Sequence, residues 1–259
     1  MRNILAIAHK EIRGYFASPI AWVTVGFFAL LVGGFYITSL AFFLQRSMQF
    51  DSFSQMGQQA EPININQWMI RPLFMNIAVI NLFVLPMLTM RTYSEEKRSG
   101  TIELLLTSPV TDFQIIMGKF LGTLALYGVM LFVTGFHIGL LFVYGSPEWQ
   151  SILSGYLGLL LLGATFLAVG LFISSTTKNQ IVAGMLTFAV LLLLWISSWF
   201  GESAPPAVQS VLRYLSVVEH LDDFSKGVVD TSHLVYYLSF IAFALFLTAK
   251  SVDTERWRG

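Results

Sequence analysis

The residues with the strongest chemical character form one charged run, Glu95-Glu96-Lys97-Arg98, in an otherwise apolar chain. Gly100 follows, and then Ile102, Leu105 and Leu106 recur at helical spacing, which predicts a short helix with one apolar face. A helix this short is unstable alone. We therefore expect it to dock, either on the membrane interface or on a partner protein.

Sequence patterns that support catalysis are missing from the chain. Gly118-Lys119 is followed by Phe120 and lacks the upstream glycine of a phosphate-binding G-x-x-x-x-G-K-[ST] loop, so the chain is not expected to hydrolyse ATP by that route. The four His are far apart in sequence, and no H-E-x-x-H zinc pattern occurs. With no Cys, disulfides, thiolate catalysis and Cys-ligated metals are excluded. We predict no catalytic residue, no metal site and no cofactor, and hence a protein that is not itself an enzyme.

A few polar or helix-bending residues lie inside apolar stretches. Asn76, Asn81 and His137 can hydrogen-bond between neighbouring helices, and Pro86 lacks an N–H group. We interpret these four residues first as helix-packing residues and second as the lining of a transport path.

The elements that must position these residues are membrane-spanning helices. Hydrophobic residues make up 55% of the chain and charged residues 12%, with a mean hydropathy of +0.69, which is typical of a chain solvated by lipid. Stretches without any charged residue are long enough to cross a bilayer, and lipid leaves the backbone no partner except its own helix. The stretches are residues 20–44, 73–90, 120–144, 152–174, 180–200 and 233–249. The sequence predicts an all-α membrane protein with one six-helix transmembrane domain over residues 20–249.

Basic residues set the expected orientation of these spans. With both termini in the cytoplasm, eleven of the 15 Lys and Arg lie in cytoplasmic segments, as the positive-inside rule requires. Residues 91–119 and the tail 250–259 are then cytoplasmic. The equal numbers of acidic and basic residues indicate no nucleic-acid partner.

The segments outside the spans carry their own patterns. Apolar positions in residues 1–19 recur at helical spacing beside Lys10, Glu11 and Arg13, which predicts a cytoplasmic interfacial helix; the alternative is a frayed juxtamembrane tail. Residues 45–72 have the composition of a flexible loop. Thr111 with Gln114 has the form of a capping box that starts the helix leading into the third span. Residues 201–232 are amphipathic and predict one or two short external helices that re-enter the outer leaflet.

The stretch 94–109, SEEKRSGTIELLLTSP, resembles the cytoplasmic signature of type-2 ABC exporter permeases. The resemblance covers nearly the whole chain: Lys10-Glu11-Ile12-Arg13 with Ser18-Pro19 is similar to the interfacial helix of that family. Within the family, residues 95–109 and 224–230 are most similar to the gliding-motility-associated permeases, although the first external loop is longer than such permeases often need.

The resemblance implies that residues 101–107 form a coupling helix that docks on a separate ATP-binding subunit. That subunit would bind ATP and Mg, and this chain would hold no cofactor. The implied contact residues are Glu95, Glu96, Lys97, Arg98, Gly100, Thr101, Ile102, Glu103, Leu105, Leu106 and Pro109. The resemblance further implies a bacterial inner membrane, surrounding lipid, and a homodimer or pseudo-symmetric heterodimer with the path between the two permease copies. The complex would export a solute or transmit force to an envelope accessory protein. The alternative is a membrane-embedded enzyme or assembly factor that works without an ATPase.

Overall fold

The computed structural model describes residues 2–56, 63–102, 110–201 and 205–256, and these ranges contain helices and no strands. The helices are α1 Arg2–Ala17, α2 Pro19–Gln55, α3 Arg71–Thr89, α4 Ser94–Ser99, α5 Asp112–Tyr144, α6 Trp149–Thr176, α7 Gln180–Gly201, α8 Pro206–Leu215, α9 Val217–Ser225 and α10 Thr231–Arg256. A π-helical turn, Asn66–Ile70, precedes α3.

Six helices in the described ranges are long and apolar enough to cross a membrane, which confirms the predicted number of spans. They are α2, α3 together with the π-helical turn before it and residues 90–99 after it, α5, α6, α7 and α10. Five of the six predicted stretches lie wholly within one of these helices, and the second stretch runs one residue past the end of α3.

Helix α6 lies at the centre of the bundle and is the most deeply buried of the six candidate spans. It packs against α3, α5, α9 and α10. Close approach depends on glycine: a Cβ atom added at Gly155 would overlap the ring of Phe74, and one added at Gly163 would overlap the ring of Tyr127. The centre of the bundle is therefore closed by aromatic rings seated on the backbone of α6.

Helix α1 packs along the first turns of α5. A Cβ atom added at Gly118 would lie 2.6 Å from Cβ of Ile7, and one at Gly122 would lie 2.7 Å from Cβ of Glu11. Two glycines one helical turn apart thus form the flat strip on which α1 rests. The capping box predicted for α5 is confirmed: Thr111 Oγ1 accepts from the Gln114 backbone N–H, and Gln114 Oε1 accepts from that of Thr111, both at 3.3 Å.

Residues 45–72 were predicted as a flexible loop, and that prediction is wrong for the part that the structure describes, 45–56 and 63–72, which is largely helical. Helix α2 continues to Gln55 and has 37 residues, a length of about 55 Å at 1.5 Å per residue. A bilayer core is only about 30 Å thick, so α2 extends well beyond it. The guanidinium carbon of Arg46 lies 5.4 Å from the ring centroid of Phe42 and 5.1 Å from that of Trp68. This stacking ties the extension of α2 to the π-helical turn, a contact that composition does not reveal.

The two ends of the bundle differ in character. We call the end with α1, α4, the start of α5 and the end of α10 the α4 end. We call the end with α8, α9 and the starts of α3, α6 and α10 the α9 end. Residues 201–232 contribute α8, which is exposed, and α9, whose residues Val217, Leu221 and Phe224 are fully buried. The predicted re-entry of these helices into a leaflet stays a prediction.

Candidate functional site

A buried lysine, Lys119, organises the α4 end. Its side chain is 1% exposed, and its Nζ lies 2.9 Å from Glu11 Oε1 and 2.7 Å from Glu96 Oε1. The same Nζ donates to the backbone carbonyl of Thr92 at 3.0 Å. We call these four residues the Lys119 junction. It joins α1, through Glu11, to α4, through Glu96, and both to the start of α5.

The junction supplies hydrogen-bond acceptors and negative charge to the Lys119 ammonium, which would be costly to bury alone. An ammonium has three donors, and here each one has an acceptor. The ring of Tyr93, whose centroid is 5.2 Å from Nζ, adds a cation–π contact. Two carboxylates around one ammonium leave a net negative charge, which Lys10 partly offsets at the rim, 4.0 Å from Glu96. Removing one partner of such a buried pair leaves an uncompensated charge and is strongly destabilising.

Helix α4 is also held from its other side. Lys97, whose side chain is 2% exposed, pairs with Glu255 near the end of α10. Ser174 on α6 accepts the backbone N–H groups of Tyr93 and Ser94 at 3.1 and 3.2 Å, and donates to the carbonyl of Met90. The Ser174 hydroxyl thus serves as a partner for the N–H groups at the start of α4, which have no acceptor within the helix itself. A helix of six residues is therefore fixed by α1, α5, α6 and α10.

The end of α4 sets the direction of the following segment. Gly100 has φ +72°, a left-handed conformation that favours glycine and ends the helix. The next two residues, Thr101 and Ile102, have helical backbone; Thr101 is exposed and Ile102 is 8% exposed, packed with the core. The rest of the predicted coupling helix, with the contact residues Glu103, Leu105, Leu106 and Pro109, lies outside the described residues.

The predicted charged contact residues fall into two groups. Glu95 and Arg98 are exposed, whereas Glu96 and Lys97 point inward to the ion pairs described above. In the N-terminal helix, Lys10 and Arg13 are exposed and Glu11 points inward. One carboxylate from each predicted cluster thus meets at Lys119. The prediction that these residues contact an ATPase stays a prediction.

The predicted intramembrane residues occupy different environments. The amide of Asn81 donates to the hydroxyl of Tyr127 at 2.7 Å, which donates to the carbonyl of Leu159 at 2.9 Å, so this network joins α3, α5 and α6. The Nδ1 atom of His137 is buried and has no hydrogen-bond partner among the described residues. Its Nε2 would lie 3.1 Å from a Cβ atom at Gly33 on α2, so the ring rests against that helix.

The other two members of this set differ in exposure. Asn76 is half-buried, and Pro86 is buried within α3, which continues past it to Thr89. An apolar groove of about 960 Å³ opens between α5 and α6. Its lining includes Gly128, Phe132 and His137.

Sequence reasoning missed the role of Lys119, which it counted only as a basic residue flanking a span. The available signal was its position between Gly118 and Phe120, where an apolar helix begins and a lysine without a partner would be costly. The cluster of charged residues in 219–226 is evident in the sequence, but its partners were missed: Arg71 pairs with Asp222, and His233 lies against Asp223.

Comparisons with known proteins agree with this architecture. Residues 5–252 match the profile of the family described as ABC-2 family transporter protein. The chain is 28% identical, over 167 residues, to the probable multidrug ABC transporter permease YbhR of Escherichia coli K12, covering 62% of this chain and 44% of that protein. It is 33% identical, over 122 residues, to the inner membrane transport permease YhhJ of the same strain, covering 45% and 32%. The chain is matched to less than half the length of these relatives.

Proposed function

Because this chain belongs to the ABC-2 transporter family, we propose that it is the transmembrane permease subunit of an ATP-driven exporter in a bacterial inner membrane. The α4 end faces the cytoplasm in this proposal, as the distribution of basic residues predicts. A separate subunit binds ATP and Mg and hydrolyses the nucleotide. The permease contributes binding and mechanical coupling, and no catalytic residue.

The observation that carries the proposal is the Lys119 junction. The junction fixes α4 to α1 and α5. The segment that would contact the ATPase begins directly after α4, at Gly100, so its start is fixed as well. A buried ion pair of this kind is stabilising only with all partners in place, so the parts it joins move together. The exposed side chains of Glu95 and Arg98 are then the polar groups presented to the ATPase.

Movement of the coupling segment would reach several spans at once. Helix α4 is joined to α3 through residues 90–93, to α5 through Lys119, and to α10 through the Lys97–Glu255 pair. A displacement of a few ångströms at this point therefore changes the relative positions of three spans. Alternating access requires this kind of differential movement, and ATP binding supplies the free energy that shifts the equilibrium between states.

The groove between α5 and α6 supports a proposal about the substrate class. The groove between α5 and α6 is almost wholly apolar, and one relative is named a probable multidrug permease. We propose an apolar or amphipathic substrate that moves between two permease copies, identical or pseudo-symmetric. Membership of the gliding-motility-associated subgroup, with force transmission to an envelope accessory protein, is the more specific form of this proposal.

A charge-reversal experiment tests the coupling. The complex is purified in mild detergent with its co-purifying ATPase, and nucleotide hydrolysis is measured in lipid. The double variant Glu95→Lys/Arg98→Glu should lower permease-stimulated turnover roughly tenfold while the spans stay folded, because complementary charges at an interface become repulsive. The matched control is Arg213→Glu at the α9 end, an exposed residue expected to leave turnover unchanged. Unchanged turnover in the double variant contradicts the proposal.

A further inference from the structure

Two histidines that are 13 positions apart in sequence meet at the α9 end. His220 Nδ1 and His233 Nδ1 are 2.6 Å apart, a hydrogen-bond distance between the two rings. At one end of the pair, His220 Nε2 lies 2.9 Å from the backbone carbonyl of Tyr214. At the other end, His233 Nε2 lies 2.9 Å from Asp223 Oδ2. The four groups form a continuous chain of three hydrogen bonds that runs from Tyr214 on α8 to His220 on α9, across to His233 on α10, and back to Asp223 on α9.

Counting protons along this chain gives its charge. The Tyr214 carbonyl and the ionised Asp223 carboxylate can only accept, so both terminal hydrogen bonds take their proton from a ring nitrogen. The central N···N bond needs one more proton. Three ring protons are therefore required, whereas two neutral imidazoles carry only two. The pair must hold one extra proton and a net charge of +1, next to the negative charge of Asp223.

The rings are held so that this arrangement is enforced. His220 is 5% exposed, and its ring stacks on that of Tyr236 with centroids 3.8 Å apart. The hydroxyl of Tyr237 donates to the Val217 carbonyl at 2.8 Å, and that of Ser154 to the Phe224 carbonyl at 2.8 Å. Helix α9 is thereby fixed to α10 and α6 on both sides of His220.

Charges around the pair alternate in sign. Lys226 lies 2.6 Å from Asp222 and 3.0 Å from Asp223, and Asp222 also pairs with Arg71. Asp223, Tyr214, Tyr236 and Tyr237 contact the two rings directly. The other titratable and charged groups on the elements packed around the pair are Arg71 on α3, Arg213 on α8, Glu219 and Asp222 on α9, and Lys226 and Asp230 in the following turn.

The surroundings of the two rings differ. Burial lowers the pKa of His220, and the neighbouring His233 lowers it further. Hydrogen bonds from His233 and Lys226 lower the pKa of Asp223, which keeps that carboxylate ionised. The Asp223 carboxylate, 2.9 Å from His233 Nε2, places the compensating negative charge beside the ring of His233 rather than that of His220.

We propose that His220 and His233 form a binding site for a single shared proton, and that this proton clamps α9 to α10. A second extra proton would place two cationic rings in contact, and loss of the shared proton would leave one of the three hydrogen bonds without a proton, so that two lone pairs face each other. The clamp is therefore closed only within a window of pH. In the orientation of the proposed function this window is set by the external compartment, and that last step alone rests on the proposed function.

The acid side of the window follows from linkage. The pKa values of His220 and Asp223 are lowered in the folded protein, so the unfolded chain binds more protons in acid. The contribution of His220 is present above the ordinary His pKa of about 6.5 and is lost as the pH falls through the lowered value, whereas that of Asp223 is present above the ordinary Asp pKa of about 3.9 and is lost only in stronger acid. The clamp should stay closed near pH 7 and open in acid, below the ordinary His pKa of about 6.5.

The first test is nitrogen NMR of the full chain in lipid nanodiscs with ¹⁵N-labelled histidine. Only four His are present, and His9→Gln and His137→Gln identify the two outside the pair. Near pH 7 we expect a ¹⁵N–¹⁵N coupling across the bond between the two Nδ1 atoms, and both nitrogens of His233 protonated. Two uncoupled neutral rings at that pH would overturn the proposal, as would a coupling that persists unchanged to pH 5.

The second test is hydrogen exchange in residues 217–225, corrected for the intrinsic effect of pH. Asp223→Asn removes the anion, so the pair should lose its extra proton and exchange should rise roughly tenfold or more. The control Asp230→Asn makes the same change at an exposed position three residues before His233 and should leave exchange unchanged. Equal exchange in the two variants contradicts the clamp. Neither measurement depends on an ATPase, so failure here is distinguishable from failure of the proposed function.

Discussion

Replacing Lys119 by methionine is the strongest test of the junction at the α4 end. Methionine keeps the length and apolar stem of the side chain and removes only the charge. Glu11 and Glu96 are then left together without their shared cation, with side chains 14% and 19% exposed. Breaking a buried pair in this way costs about 3–5 kcal/mol. Both carboxylates keep some access to water, so we expect the lower value, about 3 kcal/mol.

This cost should appear as detachment of α1 from α5. At about 1.4 kcal/mol per factor of ten, a loss of 3 kcal/mol raises the open population roughly 100-fold. Hydrogen exchange in residues 2–17 of the full chain in nanodiscs measures that population directly. The matched control is Lys10→Met: the same chemical change on a side chain that is 67% exposed and 4.0 Å from Glu96. Exposed pairs contribute at most about 1 kcal/mol, so exchange should change by less than about fivefold.

A rescue variant separates lost charge balance from lost packing. Adding Glu11→Gln and Glu96→Gln to Lys119→Met removes the unpaired anions, and replacing a buried ion pair completely is often close to neutral. Exchange of α1 should then return most of the way to the wild-type value. If Lys119→Met alone changes exchange no more than Lys10→Met does, the junction does not hold α1 and the reasoning is refuted.

Three further predictions concern positions where the structure leaves little room for change. Gly118→Val should displace α1, because its Cβ would lie 2.6 Å from Ile7, whereas Gly128→Val has nothing within 4 Å and should not; a distance label between α1 and α5 reports the difference. Tyr127→Phe removes two hydrogen bonds between spans and should lower the free energy of unfolding in detergent by about 0.6–1.7 kcal/mol; no change would refute the network. Gly100→Ala forces a left-handed φ of +72° on a residue with a Cβ, costs about 1–2 kcal/mol, and should raise amide exchange in α4 roughly tenfold; unchanged exchange would contradict that geometry.

The spans could be predicted because each is a local property of the chain. An apolar run without charges has one favourable conformation in lipid, so all six helices were predicted from residues adjacent in sequence. The capping box at Thr111 and Gln114 is equally local and was confirmed. The extension of α2 to Gln55 was missed because polar residues there are compatible with a loop, and the contact of Arg46 with Trp68 that fixes the extension joins residues far apart in sequence.

The candidate site could be predicted only in part, for the same reason. The charged run near Glu96 was conspicuous, but nothing in its spacing shows that Glu96 points inward to Lys119, 23 positions later, rather than outward to a partner. The pairing of His220 with His233 depends on α9 folding back against α10, which no pattern of period 3.6 encodes. Such groups become visible only when tertiary packing places them together.

The proposed function requires that the α4 end face the cytoplasm and contact an ATP-binding subunit. Because the chain has no Cys, Arg98→Cys provides a single exposed attachment point for a cross-linker beside Gly100, and Ser210→Cys on α8 provides an exposed control at the α9 end. In intact cells, Arg98→Cys should cross-link to the ATPase that co-purifies with the chain and resist a membrane-impermeant thiol reagent. Ser210→Cys should show the opposite behaviour. Labelling of Arg98→Cys from outside the cell, or an assembled complex in which only Ser210→Cys reaches the ATPase, would contradict the account.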